Sequence, residues 1–330
     1  MNLSLFGGGS WGTALSIHAA RAGHDVLLWV YDDGLADEIN RSHENARYLK
    51  GCAIPPKVRA TQDLGECARF SDSHLVVVPS HFCRKVYGRI SETAGGPVRL
   101  LSATKGIEED TGLRMEEVAA QSIPRLSAYA VLSGPSFALE VAQAHPTAVV
   151  IASRDIAVAR DFQAALTTPA FRVYVHGDVV GVELAASLKN VIAIASGVVW
   201  GMGLGANTQA ALITRGLHEI TRLATAMGGR PETLAGLAGI GDLVLTCTGS
   251  LSRNRSVGEQ LGKGRKISEI LGSMVHVAEG VRTTRSATQL ASRLGVDMPI
   301  TVQMYSILYE DKPPAAALKD LMERGLKEEY

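Results

Sequence analysis

The chain has 330 residues, of which 46% are hydrophobic and 20% are charged, as expected of a globular protein long enough for two domains. Its 33 Lys and Arg residues balance 33 Asp and Glu residues, so the formal net charge is +0. With no basic stripe and only 5% aromatic residues, the sequence argues against a nucleic-acid or anionic-membrane partner. Any anion must therefore be bound by a local group of side chains.

Short runs rich in Val, Leu and Ile alternate with helical patterns through the first half of the chain. The first strand is predicted at NLSLFG, and a helix over SWGTALSIHAARAG follows it and ends at Gly23. Continuous apolar strands separated by helices indicate a parallel sheet covered on both faces, which is a doubly wound Rossmann-type α/β fold. The further strands are predicted at DVLLWV, HLVVVPS, VRLLSATKG, AVLSGPS, TAVVIAS and FRVYVH.

The β-rich runs stop near Asp178, and the remaining sequence is rich in Ala and Leu with glycine breaks. This change predicts a dinucleotide-binding domain over 1–180 and an all-α C-terminal substrate domain over 181–330. The apolar stretch 191–206 is interrupted by Gly and Ser and is shorter than the roughly 18 to 20 residues of a membrane span. We expect a buried helix there, and no membrane insertion.

The start of the chain, MNLSLFGGGS, lacks the basic and apolar regions of a signal peptide. The four cysteines have no CxxC or paired spacing, which favours reduced thiols in a cytoplasmic protein. The nine histidines include no HxxxH or HExxH pattern, so no metal site is predicted.

Three glycines, Gly7, Gly9 and Gly12, form a GxGxxG motif between the first strand and the first helix. The motif alone is weak, but in a strand–turn–helix context it lets the backbone close on a pyrophosphate at a helix N-terminus. The sequence therefore predicts a dinucleotide cofactor, against the alternative of a plain tight turn.

Two aspartates, Asp32 and Asp33, follow the second strand about 20 residues beyond the motif, where a carboxylate accepts from the adenosine ribose 2′-OH. Their position favours NAD, although both could instead cap the next helix. An NADP enzyme needs a cation there, and Arg41, Arg47 and Lys50 are the candidates. NAD and NADP both stay open.

Polar residues also follow three later strands, where ligands bind in open α/β sheets. They are Pro79 and Ser80, Lys105 in SATKG, and Gly134 with Ser136 in SGPS. Lys105 taken alone could equally be a solvated loop residue.

The helical half contains a second polar group in GIGDLVLTCTGSLSRNRS. Asp242 follows a predicted glycine turn, and Ser252, Arg253, Asn254 and Arg255 come in a row. An arginine fork beside neutral donors suits a phosphate monoester, whereas the alternative is a polar surface loop.

Lys189 stands alone in GVELAASLKNVIAIASG, with apolar residues on every side and no carboxylate three or four residues away. Burial disfavours the charged form of the amine and so lowers its pKa towards neutral pH, where a lysine can act as both acid and base. Asp242 would oppose this shift. The alternative is a lysine that extends its ammonium group out of the core.

The sequence resembles bacterial NAD(P)-dependent glycerol-3-phosphate dehydrogenases, essentially from end to end. The motifs that carry the resemblance are GGGSWGTA, VPSH, SATKGIE, VLSGPSFALEVA, FRVYV, GVELAASLKNVIAIASG, ALITRGLHEI, GGRPETLAGLAGIGDLVLTCTG, LSRNRSVG, AEGVRT and MPIT.

The resemblance implies interconversion of dihydroxyacetone phosphate and sn-glycerol 3-phosphate by a homodimer that supplies phospholipid synthesis. It implies Lys189 as the catalytic proton donor and acceptor. Many members carry arginine or histidine where this chain has Tyr31. The substrate would be lined by Lys105, Gly134, Ser136, Lys189, Asp242, Ser252, Arg253 and Asn254. The dinucleotide would contact Gly7, Gly9, Ser10, Trp11, Gly12, Tyr31, Tyr48, Lys105, Ala138, Arg253, Val277 and Glu279.

Two other functions stay open from the residues. A related two-domain dehydrogenase acting on a hydroxy acid or a hydroxyacyl substrate would more often use a histidine base or a thiol, yet neither His176 nor His218 lies in a comparable polar group. A non-catalytic dinucleotide sensor would not need Lys189, Asp242 and Arg253 together.

Overall fold

The computed structural model describes residues 1–272, 278–326 and 328–329. The chain divides into two compact units. The first unit comprises Met1–Glu108 and Leu113–Glu183, and the second comprises Glu109–Gly112 and Leu184–Tyr330. Four residues of the connection after the fifth strand therefore belong to the second unit.

One eight-stranded sheet forms the centre of the first unit. Its strands are β1 (Asn2–Phe6), β2 (Asp25–Trp29), β3 (Val58–Thr61), β4 (Ser73–Val76), β5 (Val98–Ser102), β6 (Leu126–Ser133), β7 (Thr147–Ala152) and β8 (Phe171–His176). Their spatial order is β3-β2-β1-β4-β5-β6-β7-β8. Residues 3–6 of β1, residues 26–29 of β2 and all four residues of β4 are buried, as expected when helices cover both faces. The predicted doubly wound α/β fold is confirmed.

Two details of the predicted sheet were wrong. The strand β3 was not predicted, because its four residues VRAT contain an exposed arginine and no continuous apolar run. The strands β6 and β7 pair antiparallel, while the other neighbouring pairs are parallel. The chain between β6 and β7 contains only a five-residue helix and reverses direction instead of crossing over.

Seven helices lie between the strands of the first unit. They are α1 (Ser10–Arg21), α2 (Leu35–Ser42), α3 (Leu64–Phe70), α4 (Ser80–Thr93), α5 (Met115–Ser122), α6 (Ala138–Ala142) and α7 (Ile156–Leu166).

The described part of the chain after β8 is helical and contains no strand, which confirms the all-α C-terminal region. Its helices are α8 (Val179–Gly201), α9 (Ala206–Ala226), α10 (Pro231–Leu234), α11 (Asp242–Thr248), α12 (Arg253–Gly262), α13 (Ile267–Gly272), α14 (Glu279–Leu294), α15 (Pro299–Tyr309) and α16 (Pro314–Met322). A five-residue π-helix, Leu237–Gly241, directly precedes α11.

The helix α8 has 23 residues. It is longer than the apolar stretch 191–206, from which a buried helix was predicted, and it begins before that stretch. Among the described residues it is the one single helix with the length and composition to cross a membrane, and its most apolar window is wholly buried in the structure. A buried core helix satisfies the same criteria, so this observation is weak support for a membrane span.

Glycines bring α8 and α12 into backbone contact. A Cβ atom at Gly197 of α8 would lie 2.0 Å from the carbonyl oxygen of Arg255, and one at Gly258 of α12 would lie 1.9 Å from that of Ile194. The next glycine four residues on in each helix repeats the arrangement. Side chains at these positions would force the helices apart, so the glycines fix the place of α12 along α8.

Candidate active site

The glycine motif forms the turn between β1 and α1. Gly7 has φ 124°, and a Cβ atom there would lie 2.5 Å from the carbonyl oxygen of Val77. A Cβ atom at Gly12 would lie 1.8 Å from the carbonyl oxygen of Gly7, whereas at Gly9 no atom lies within 4 Å. Two of the glycines therefore allow the turn to close, and the third leaves open space beside the backbone.

The N-terminus of α1 has the features of an anion site. Its N-cap residue, Gly9, provides no side-chain cap, and the first turn contains no acidic residue. The first N–H groups of a helix lack partners within the helix and attract negative charge. In addition, the indole Nε1 of Trp11 is buried and has no hydrogen-bond partner among the described residues. These donors fit a bound dinucleotide.

Polar contacts beyond β2 hold the two aspartates. The hydroxyl of Tyr48 donates to Oδ2 of Asp32 at 2.7 Å, and Nε2 of Gln62 donates to Oδ1 of Asp33 at 3.3 Å. Gly34 is the N-cap of α2 and no side chain caps it, so the alternative that the aspartates cap this helix was wrong. Desolvation and the neighbouring Asp32 raise the pKa of Tyr48, which keeps its hydroxyl a donor.

Of the candidate cations for a 2′-phosphate, Arg47 lies near the same strand end. Arg47 is engaged by Oε2 of Glu38 at 3.1 Å and by the carbonyl oxygen of Asp33 at 3.3 Å. Arg41 and Lys50 are exposed. Tyr31, at the end of β2, is 79% exposed, so its ring is accessible to a ligand.

The other predicted residues of the first unit follow β5 and β6, which are adjacent and parallel. Lys105 lies three residues beyond β5 and is half-buried. Gly134 directly follows β6 with φ 133°, and Ser136 donates to the Gly134 carbonyl oxygen at 2.9 Å. Ala138 is the first residue of α6. These loops share the carboxyl edge of the sheet, where ligands of open α/β sheets bind.

In the second unit, Lys189 forms an ion pair with Asp242, between Nζ and Oδ1. The two side chains are only 4% and 1% exposed, so the lysine does not extend its ammonium group into solvent. That alternative was wrong. A buried charge is stabilised by such a partner, and here the partner is distant in sequence but adjacent in space.

The π-helix Leu237–Gly241 positions Asp242, where the sequence had predicted a glycine turn. A Cβ atom at Gly239 would lie 2.0 Å from the carbonyl oxygen of Leu234, so the tight π-helical path requires glycine there. Asp242 then begins α11, and the hydroxyl of Thr246 donates to its carbonyl oxygen at 2.6 Å. A π-helix beside a charged side chain is a frequent feature of functional sites.

In the row of donors after α11, Ser252 and Asn254 are engaged in hydrogen bonds within the protein. Ser252 caps α12 by accepting from the Arg255 amide at 3.2 Å. Asn254 donates to Oδ1 of Asn190 at 2.9 Å and accepts from the Gly280 amide at 3.0 Å, which ties α8, α12 and α14 together.

As a residue, Arg253 is exposed, but its guanidinium is partly enclosed by the surrounding protein. Desolvation by the surrounding protein lowers its pKa, and the negative charge of Glu279 partly offsets that effect. Because Arg253 stays charged at neutral pH, it can bind an anion, whereas Ser252 and Asn254 are already engaged within the protein.

A thiol nucleophile near the lysine is unfavourable. Burial raises the pKa of Cys247, close to Lys189 and Asp242, to about 12, so this thiol stays protonated at neutral pH. His176 accepts the amide of Asp178 at 3.0 Å through Nδ1 and closes a turn.

The structure thus gathers Gly7, Gly9, Ser10, Trp11 and Gly12 in one turn of the first unit. In the second unit it gathers the ion pair, the row Ser252–Asn254 and Glu279 at the start of α14. The predicted cofactor residue Val277 lies outside the described residues. Asn45, which the sequence did not single out, contacts the glycine turn; among polar neighbours in SHENARY nothing marked it as buried.

Comparison with known proteins agrees with the resemblance over most of the chain. The profile of the NAD-dependent glycerol-3-phosphate dehydrogenase N-terminus matches residues 2–159, and that of the C-terminus matches residues 178–319. The chain belongs to this family. The match confirms the resemblance found in the sequence, and with it NAD or NADP as the family's cofactor.

Individual relatives are similar over nearly their full length. The glycerol-3-phosphate dehydrogenase, NAD(P)+, of Geobacter sulfurreducens is 51% identical over 329 residues, which are 99% of this chain and 98% of the relative. That of Citrifermentans bemidjiense is also 51% identical, with the same coverage. The crystal structure of glycerol-3-phosphate dehydrogenase from Coxiella burnetii has a TM-score of 0.94 at 41% identity, and the match covers 98% of this chain and 99% of that chain.

Proposed function

We propose that this protein catalyses the reversible reduction of dihydroxyacetone phosphate to sn-glycerol 3-phosphate, with NADH or NADPH as the hydride donor. Family membership supports the reaction. The observation that carries the mechanism is the buried ion pair of Lys189 and Asp242 in the helical unit. An ammonium group held away from water can deliver a proton to one defined atom of a bound substrate.

The reduction requires one proton as well as one hydride. A nicotinamide cofactor held at the turn after β1 would supply the hydride to the C2 carbonyl carbon, which leaves the carbonyl oxygen in need of a proton. Lys189 donates its proton to that oxygen, so the product is the C2 alcohol. In the reverse direction the neutral amine takes the alcohol proton. Asp242 holds the lysine in position and stabilises its charged form before the transfer.

The phosphate group of the substrate requires a separate set of donors. We assign it to Arg253, whose charged fork suits the oxygens of a phosphate. The engaged side chains Ser252 and Asn254 hold the start of α12 and so position Arg253. Lys105, Gly134 and Ser136 are proposed to line the substrate from the sheet edge, as the resemblance implies.

The cofactor is assigned to the turn after β1. The amides at the start of α1 and the indole of Trp11 would bind the pyrophosphate, and Asp32 with Tyr48 would bind the adenosine ribose. Tyr31, Ala138 and Glu279 complete the proposed contacts. We further propose a cytoplasmic homodimer that supplies glycerophospholipid synthesis, on the strength of the family resemblance alone.

Steady-state kinetics test the proposal. NADH and NADPH oxidation would be measured with dihydroxyacetone phosphate, and with oxaloacetate and acetoacetyl-CoA as competing substrates. We expect turnover with dihydroxyacetone phosphate only. Turnover of either competitor alone would favour a hydroxy-acid or hydroxyacyl dehydrogenase, and cofactor binding without any turnover would favour a dinucleotide sensor.

A further inference from the structure

The connection between α2 and β3 forms a compact loop, His43–Ile54, which we call the bracing loop. The Ile54 amide donates to the His43 carbonyl oxygen at 2.7 Å and closes the loop at its base. Within it, the Leu49 amide donates to the Asn45 carbonyl oxygen at 2.8 Å. A loop whose ends meet and whose interior is hydrogen-bonded is a defined structural element, not a flexible connection.

Asn45 of this loop is completely buried against the glycine turn. Its Nδ2 donates to the Gly8 carbonyl oxygen at 2.8 Å and to Oγ1 of Thr13 at 2.8 Å. Its Oδ1 accepts from the Tyr48 amide at 3.3 Å. One amide group thus binds both sides of the stretch from Gly9 to Gly12 that the proposed cofactor would approach.

The bond to Gly8 controls the direction of a neighbouring amide. The C=O and N–H groups of a trans peptide unit point in opposite directions and lie in one plane. A carbonyl of Gly8 held by Asn45 therefore orients the N–H of Gly9 away from the bracing loop. Gly9 is the N-cap of α1 and has open space beside it, so this orientation suits an incoming phosphate.

The bracing loop also contacts the residue next to Gly9 and the residue proposed to bind the ribose. The hydroxyl of Ser10 donates to the Tyr48 carbonyl oxygen at 2.7 Å, and the Tyr48 hydroxyl donates to Asp32 at 2.7 Å. One loop therefore touches the turn proposed for the pyrophosphate and the carboxylate proposed for the ribose.

We infer that Asn45 is a positioning residue for cofactor binding, which sets the geometry of the pyrophosphate turn through Gly8 and Thr13 without contacting the cofactor itself. The inference rests on the proposed dinucleotide binding. A merely structural asparagine would stabilise the fold and leave nucleotide affinity unchanged, which gives the two roles different signatures.

Asn40 provides a matched control in the same unit. Its side chain also makes two backbone hydrogen bonds, to the Ala60 carbonyl oxygen at 2.9 Å and from the Ala60 amide at 2.8 Å. These bonds join α2 to β3 and do not involve the glycine turn. Asn40→Ala therefore removes two side-chain hydrogen bonds to the backbone at a position away from the proposed cofactor, although Asn40 is exposed and Asn45 is buried.

The experiment is calorimetric titration of the wild type, Asn45→Ala and Asn40→Ala with NADH and with NADPH, together with their melting temperatures. We expect Asn45→Ala to raise both dissociation constants by about tenfold or more and by the same factor, because the pyrophosphate is common to both cofactors. Asn40→Ala should lower the melting temperature and leave both dissociation constants within about twofold of wild type.

A second variant covers the case in which Asn45→Ala does not fold. Thr13→Val keeps the shape of the side chain and removes one of the two acceptors of Asn45, so it should weaken both cofactors in the same direction by a smaller factor. If the wild type binds NADH or NADPH and the Asn45 and Thr13 variants bind it with unchanged dissociation constants, this inference alone is overturned. A wild type that binds neither NADH nor NADPH would overturn the proposed function and this inference together.

Discussion

Lys189 and Asp242 form an ion pair from which solvent is almost excluded, on helices α8 and α11 of the same unit. Neither side chain could be buried alone without a large loss of hydration energy. The pair therefore explains how a helix of otherwise apolar residues accommodates a lysine. It also predicts how stability responds when the two charges are removed separately or together.

Removing the lysine alone should destabilise the protein strongly. In Lys189→Met the Asp242 carboxylate stays buried without its cation, so we expect the free energy of unfolding at neutral pH to fall by about 3 to 5 kcal/mol. The double variant Lys189→Met with Asp242→Leu should recover most of that loss. Denaturant unfolding measures both, and a double variant less stable than Lys189→Met would contradict the ion-pair account.

Truncating Arg253 should affect substrate binding more than the chemical step. Arg253→Ala removes the proposed phosphate fork, and we expect KM for dihydroxyacetone phosphate to rise by about tenfold or more with a smaller change in kcat. The neighbouring Arg255 is the control, because it donates to the Gly249 carbonyl oxygen at 3.2 Å. Equal values of KM for Arg253→Ala and Arg255→Ala would remove Arg253 from the phosphate site.

Replacing Asp32 should change the choice between the two cofactors. A carboxylate accepts from the ribose 2′-OH of NADH and repels the 2′-phosphate of NADPH. We therefore expect Asp32→Asn to raise the dissociation constant of NADH and to lower that of NADPH, measured by calorimetry. Asp33→Asn, at the carboxylate held by Gln62, should have the smaller effect. A parallel change for both cofactors would contradict this role of Asp32.

The buried Glu219 should make stability depend on pH. Its carboxylate accepts from the amides of Ile300 and Thr301 at 2.6 and 3.1 Å, and burial raises its pKa from 4.5 to about 7. Between these values the unfolded chain loses the proton while the folded chain keeps it. Stability from this group is thus full below pH 4.5 and is lost as pH rises through 7.

A difference measurement isolates this effect, because burial lowers the pKa values of His18 and His74 and their contribution runs in the opposite direction. The free energy of unfolding of the wild type minus that of Glu219→Gln should fall by about 1 to 3 kcal/mol as pH increases across that window. A difference that stays constant or increases with pH would refute the assignment.

Much of the fold follows from local sequence. The apolar strand runs and the glycine turn after β1 are local patterns, and both predict the Rossmann-type unit. The antiparallel β7 could not be predicted in the same way, because the direction of a strand depends on the path of the chain before it. The edge strand β3 was also missed, because its exposed arginine interrupts the apolar pattern.

The candidate site was predictable in its residues but not in its contacts. The apolar surroundings of Lys189 marked it as unusual, yet its partner Asp242 comes from a distant segment that a π-helix positions. The packing glycines of α8 and α12 could not be recognised from the sequence either, because their role depends on the backbone of the neighbouring helix. Asn45 could be recognised only from the fold, in which it is buried against the glycine turn.

The role of Lys189 is tested most directly by the kinetics of Lys189→Ala with dihydroxyacetone phosphate, beside calorimetric titration of the same variant with NADH. The account predicts that kcat falls by roughly 10² to 10⁴ while the dissociation constant of NADH stays close to that of the wild type, because proton transfer is lost and the cofactor turn is untouched. A folded Lys189→Ala variant with the wild-type kcat would contradict it.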